Sequence, residues 1–138
     1  MALTLVSGST ASRERPRPVV LFIEDNLTQL DLYSMVLSEA VEVRTATRGE
    51  TGYAAACAEK PDVIVMDMLL PDADGLTICK RLSQNPDTAR IPVVVLTGDD
   101  HAYARAQQLR SELTGVLLKP CPADRLLAAV HDAIERAR

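Results

Sequence analysis

A doubly wound α/β fold, in which a parallel sheet is covered by helices on both faces, is predicted by three features of this 138-residue sequence. Short apolar runs recur along the chain, each closed by polar or turn-forming residues. Stretches with helical spacing of apolar residues separate these runs. Most of the runs also lack the polar alternation of a sheet with one wet face, so they must be buried on both sides. The length suits one domain with one sizeable core, expected over residues 18–138 behind a mobile tail at 1–17. Apolar residues make up 47% and aromatic ones only 3%, so that core has to be aliphatic.

Residues 1–17 mix Ser, Thr and Gly with Arg13, Arg15 and Arg17 and hold no sustained period. Val19-Val20-Leu21-Phe22-Ile23 is the first buried strand and stops at Glu24-Asp25-Asn26. Asp25 or Asn26 can cap the helix that follows, on which Leu30, Tyr33, Leu37 and Ala40 share a face. Residues 41–46 alternate and read as a half-exposed second strand, and 48–59 as an Ala-rich helix closed by Lys60-Pro61. Val63-Ile64-Val65-Met66 is the central strand and delivers Asp67 to its carboxyl end. Leu76, Cys79 and Leu82 mark a short helix that dies in Asn85-Pro86. The fourth strand, 91–96, is wholly apolar and ends on Thr97-Gly98-Asp99-Asp100, with a weaker helix over 101–111 after it. A short strand, 116–118, ends on Lys119-Pro120. The last helix, 122–136, starts with Pro122 and turns Leu126, Leu127, Val130 and Ile134 inward.

Five strands alternating with five helices leave few right-handed topologies, and the flavodoxin-like (βα)5 order 2-1-3-4-5 is the usual one. Strands one, three, four and five then lie side by side about 4.8 Å apart, and ligands of such sheets bind at the carboxyl ends of the strands. Glu24, Asp25, Asp67, Thr97 and Lys119 are all at those ends, along an edge roughly 14 Å long.

Composition excludes several classes of function. A net charge of −4 argues against a nucleic-acid surface. No apolar run approaches the roughly 18 residues of a membrane span, and the start fails as a signal peptide for want of a basic region. Cys57, Cys79 and Cys121 are odd in number and widely spaced, so they are expected to pack in a reducing cytoplasm.

Taken singly, a carboxylate or Thr after a strand is a helix cap and a Lys before Pro is solvated. Together they form a set. Three carboxylates within about 5 Å repel by roughly 3 kcal/mol per pair at an effective dielectric near 20. Lys119 supplies one compensating charge and a hard divalent cation the rest; few oxygen ligands with room for water suit Mg²⁺. With a hydroxyl at Thr97 and a carboxylate able to act as nucleophile, the set is equipped for phosphoryl transfer.

On Glu24-Asp25-Asn26, Asp67 followed by Pro71 and Asp74-Gly75, Thr97-Gly98 and Lys119-Pro120, residues 18–138 resemble the receiver domain of two-component response regulators. The resemblance implies that Asp67 accepts a phosphoryl group from a sensor histidine kinase or phosphotransfer protein. Glu24, Asp25, Asp67 and the Leu69 backbone carbonyl would hold Mg²⁺, directly or through water. Lys119 would pair with the phosphoryl group and Thr97 would hydrogen-bond it, with Lys119-Pro120 cis. Leu69 and Asp99 would flank the group and tune its lifetime. Phosphorylation would switch protein contacts on the face of the fourth helix, fifth strand and fifth helix. The family's aromatic switch position is Val116 here, which has no ring to swing.

Other readings fit less well. Asp72-Ala73-Asp74-Gly75 lacks the first acidic ligand and the closing Glu of a calcium loop. A flavodoxin would need a phosphate-friendly first loop and rings for the flavin. The aspartyl-phosphate hydrolases of the haloacid-dehalogenase type carry a second Asp where this chain has Leu69. His101 and His131 are expected on helix surfaces, as is a half-buried Tyr103. The expectation is a non-enzymatic, cytoplasmic single-domain regulator signalling to an unidentified downstream protein. Its alternatives are a phosphorelay shuttle, a receiver excised from a hybrid kinase, or a receiver-like module that binds without phosphorylation.

Overall fold

Alternation along each strand decides which helices it meets. The computed structural model describes residues 17–108 and 113–138; the expected tail, apart from Arg17, and the end of the fourth helix lie outside them. The elements are β1 (Val19–Ile23), α1 (Leu27–Leu37), β2 (Glu42–Ala46), α2 (Gly49–Glu59), β3 (Val63–Met66), α3 (Gly75–Gln84), β4 (Val93–Thr97), α4 (Asp100–Gln108), β5 (Gly115–Leu118) and α5 (Ala123–Arg136). All strands are parallel in the order β2-β1-β3-β4-β5, as predicted. Val20 and Phe22 of β1, Val63 and Val65 of β3, and Val94 and Leu96 of β4 pack with Leu30, Leu37, Leu126 and Val130 under α1 and α5. The intervening Leu21, Ile23, Ile64 and Met66 pack with Ala56, Ile78 and Leu82 under α2 and α3. A third, smaller layer of Met68, Val95, Ala102 and Ala106 lies under α4. Two-faced burial is thus the period-2 consequence of all-apolar strands.

Three of the boundaries that differ from the sequence expectation are informative. Helix α1 stops at Leu37, before Ala40: the Ser38 N–H still donates to the Ser34 carbonyl at 2.8 Å, but the Glu39 and Ala40 N–H groups turn to the carbonyls of Val36 and Leu37, three residues back, at 3.4 and 3.0 Å. The Arg17 guanidinium then takes the carbonyls of Ser38 and Val41, the latter at 3.2 Å. Val41 is fully buried but precedes β2, whose edge position leaves Glu42, Arg44 and Thr45 exposed. Strand β4 begins at Val93, since Pro92 has no N–H for the ladder, and reaches Thr97.

Close approach matters most at Gly75, the first residue of α3. Its N–H donates to the Met68 carbonyl at 2.7 Å, and a Cβ there would stand 2.7 Å from Met68 Cα and 2.8 Å from the Asp67 carbonyl oxygen. The loop after Asp67 folds tightly only because that side chain is missing. No helix among the described residues is long and apolar enough to cross a membrane.

Candidate functional site

The first carboxylates leave β1 where its ladder continues one residue past the strand. The Glu24 N–H donates to the Ala46 carbonyl at 3.0 Å, which fixes Glu24 inward, 1% exposed, and leaves Asp25 in solvent. Asn26, rather than Asp25, caps α1: its Oδ1 accepts from the Gln29 N–H at 3.0 Å, and its own N–H donates to Glu24 Oε2 at 3.1 Å. Asp67 is placed the same way, its N–H donating to the Ile23 carbonyl at 3.1 Å. One carboxylate oxygen of Asp67 accepts from the Leu69 N–H at 3.3 Å.

Lys119 enters from the other side. Its N–H donates to the Thr97 carbonyl at 2.8 Å, and the Lys119-Pro120 bond is cis, as expected. The ammonium reaches Glu24 Oε1 at 2.5 Å, Gln29 Oε1 at 2.5 Å and Asp67 Oδ2 at 3.1 Å. Burial by itself would lower the Lys119 ammonium, but hydrogen bonding and charge from Glu24 and Asp67 outweigh it and hold it above the ordinary lysine value. For Glu24 burial is the larger effect and pushes its carboxyl up despite Lys119, with the Asp67 charge adding to the rise. One ammonium is shared among more negative charge than it can neutralise. Glu24, Asp25 and Asp67 can each bring an oxygen within 4.8 Å of the others, so the chemistry of the donor set fits a hard divalent cation.

A cavity of about 770 Å³ opens over Asp67 and Lys119, and Leu69, Thr97 and Asp99 also line it. Thr97 is wholly buried at the end of β4, and its hydroxyl oxygen accepts a long 3.4 Å bond from the Asp99 N–H. Asp99 has a task not foreseen: its Oδ2 accepts from the Ala102 N–H at 2.8 Å, closing the start of α4. Leu69 is 53% exposed at the rim. Val116 stands apart, half-buried against the layer under α4. His101 and His131 are exposed, Cys79 and Cys121 are buried, and Tyr103 is half-buried with its hydroxyl accepting from Gln107 at 2.7 Å.

The same architecture recurs in known proteins. Residues 20–131 match the family model described as the response regulator receiver domain. The chain belongs to the response regulator receiver family. Over 113 residues, 82% of its length, this receiver is 38% identical to the response regulator PleD of Caulobacter vibrioides, of which the match spans 24%. Among solved structures, a response regulator receiver domain protein of Clostridium thermocellum superposes with a TM-score of 0.78 at 26% identity, over 86% of this chain and 95% of that one. The receiver domain of the sensor histidine kinase PA1611 of Pseudomonas aeruginosa PAO1 gives 0.78 at 22% identity over 86% and 98%, a likeness of fold; it was solved with a magnesium ion in its active-site cleft. Receivers are signalling domains of two-component systems, working with histidine kinases and downstream effectors.

Gln29 was not singled out from the sequence, and Asp72 and Asp74 were read there only as part of the loop after Asp67, without the helices they cap. Gln29 touches Lys119. Asp72, two residues before Asp74 in the loop after Asp67, caps α2 instead, accepting from the Gly49 N–H at 2.7 Å and the Glu50 N–H at 2.9 Å. Asp74 caps α3 through the Leu76 N–H at 3.0 Å and pairs with Arg105 of α4 at 2.6 Å. The turn composition of residues 71–75 marks Asp72 and Asp74 as caps without naming the helices they serve, and nothing in the sequence pointed to Gln29.

Proposed function

We propose that Asp67 is the phosphoacceptor of a receiver that takes its phosphoryl group from a sensor histidine kinase or phosphotransfer protein. One observation carries this: a carboxylate at a strand end, reachable from a cavity, faces a lysine ammonium at 3.1 Å beside two further carboxylates. A carboxylate oxygen of Asp67 attacks phosphorus as the P–N bond of the phosphohistidine breaks, and the electron pair stays on the imidazole. The product is an acyl phosphate. Lys119 balances the negative charge that arrives with the phosphoryl oxygens, and the Thr97 hydroxyl donates to one of them. Glu24, Asp25, Asp67 and the Leu69 carbonyl would hold Mg²⁺, which when bound supplies further neutralisation of those oxygens. Leu69 and Asp99 flank the group and govern the access of water to it.

Leu27, Leu32 and Met35 of α1 are exposed by 64%, 61% and 71%, and Leu32 lines the cavity, which supports docking of the donor's helix there. The output face is α4, β5 and α5, on which Leu118 is 40% exposed at the sheet edge. Within this reading the domain spans residues 18–138, works in the cytoplasm, and contacts neither nucleic acid nor membrane.

The test is intact mass after incubation with phosphoramidate, with and without Mg²⁺, on the wild type and Asp67→Asn. A gain of one phosphoryl group that needs both Mg²⁺ and Asp67 is the expected result. No gain in folded protein would overturn the reading in favour of a module that binds without phosphorylation. Leu32→Asp separates docking from chemistry: transfer from a kinase should slow while the reaction with phosphoramidate is unchanged.

A further inference from the structure

Lys119 has three N–H donors, and three oxygens meet them: Glu24 Oε1, Gln29 Oε1 and Asp67 Oδ2. Those three do different work. The Asp67 contact is the longest, 3.1 Å against 2.5 Å for each of the others, and a phosphoryl group on Asp67 would take over that donor. Glu24 is one of the acidic trio, so any cation drawn to the trio competes with Lys119 for it. Gln29 lies outside the trio and carries no charge. Because lysine only donates, the amide oxygen must be the atom turned to it. An amide oxygen does not titrate and carries no net charge, so a cation is not drawn to it as it is to Glu24. Its base is also fixed: the Gln29 N–H is held by the Asn26 cap at 3.0 Å, in the first turn of α1.

Resting on the phosphoacceptor reading above, we propose that Gln29 is a positioning residue that holds the Lys119 ammonium over Asp67 while the phosphoryl group arrives. In the reaction with phosphoramidate, a bond forms between an Asp67 carboxylate oxygen and phosphorus, the P–N bond breaks, and the nitrogen leaves with the electron pair as ammonia. Gln29 touches none of the reacting atoms; it would keep the ammonium over Asp67 when a bound cation competes for Glu24 and repels the ammonium.

The experiment measures the rate of phosphorylation by phosphoramidate at saturating Mg²⁺ in the wild type, Gln29→Leu, Gln29→Glu, and Gln29→Leu combined with Lys119→Met. Gln29→Leu keeps the volume and loses the acceptor, and should slow the reaction roughly fivefold, the scale of one hydrogen bond to a charged group partly replaced by water. Mg²⁺ affinity by calorimetric titration and the melting temperature should stay at wild-type values. Gln29→Glu restores an acceptor and should recover most of the rate. In the Lys119→Met background Gln29→Leu should add nothing, since an effect that runs through Lys119 vanishes with it. The ¹H–¹⁵N signal of the Lys119 ammonium should shift in Gln29→Leu before any phosphoryl donor is added. A phosphorylated wild type with an unchanged or faster Gln29→Leu, or an effect that persists without Lys119, overturns this inference alone. A wild type that takes up no phosphoryl group overturns the phosphoacceptor reading and this inference with it.

Discussion

Around Asp67 the polar atoms are matched to one another, whereas around Thr97 they are nearly idle. On the acceptor side every donor of Lys119 has an oxygen, Glu24 is held by its own backbone and by Asn26, and Gly75 locks the loop from beneath. On the responding side the wholly buried Thr97 hydroxyl accepts one long bond, and the residue that would relay its movement, Val116, can offer only dispersion contacts. The difference teaches a division of labour. Under the proposed function, groups that meet the phosphoryl group are arranged before it arrives, since reorganisation during the reaction would cost rate, and groups that move afterwards are lightly held. Between the two sides runs a charged contact, Asp74 to Arg105, which joins the loop after Asp67 to α4.

The strongest way to break the contrast is Lys119→Met. It leaves Glu24 buried without its ammonium, so stability should fall by about 3 kcal/mol in urea denaturation, and phosphoryl uptake should fall at least tenfold. Next is Gly75→Ala. The added Cβ meets backbone that cannot turn aside, and a loss of about 2 kcal/mol in the same assay is expected.

Arg105→Ala sharpens the contrast rather than breaking it. The pair is half exposed, so stability should change by less than about 1 kcal/mol. If it links the sides, the NMR shifts that phosphorylation produces in α4 should shrink while those at Thr97 persist. A smaller effect is expected at Val116, where phosphorylation should shift the signals less than at Thr97 or Asp99; large changes confined to residue 116 would refute the loose coupling.

The smallest effect concerns pH. Backbone N–H groups of Glu50 and Gly49 hold the Asp72 carboxyl below its ordinary value of 3.8. A carboxyl lowered on folding stabilises the fold at pH above its unfolded value, and that contribution disappears as pH falls through the folded one. The stability profile below about pH 4 should therefore be shallower in Asp72→Asn than in the wild type.

The three central strands were legible because burial on both faces leaves no choice of residue, and the two edge strands from their place between helical stretches. So was the meeting of Glu24, Asp67 and Lys119, since each directly follows a strand and the sheet sets its position. Gln29 was not, for its role depends on how α1 is rotated over the sheet and on the reach of a side chain 90 positions away from its partner. Asp72 and Asp74 look alike in the sequence, yet one serves the helix behind it and the other the helix ahead. Nothing in the composition of the loop distinguishes them. The end of α1 was missed for a local reason, a tightening of the last turn in which the Glu39 and Ala40 N–H groups bond three residues back.

The Asp72 cap also makes the loop observable from a distance. The amide protons of Gly49 and Glu50 are tied to a carboxylate more than twenty residues further along the chain. Their exchange with solvent deuterium therefore registers each departure of the acceptor loop from its seat, although neither residue touches Asp67 or its neighbours in the cavity. Two backbone amides at the start of α2 thus clock the opening of a loop more than twenty residues away in the chain.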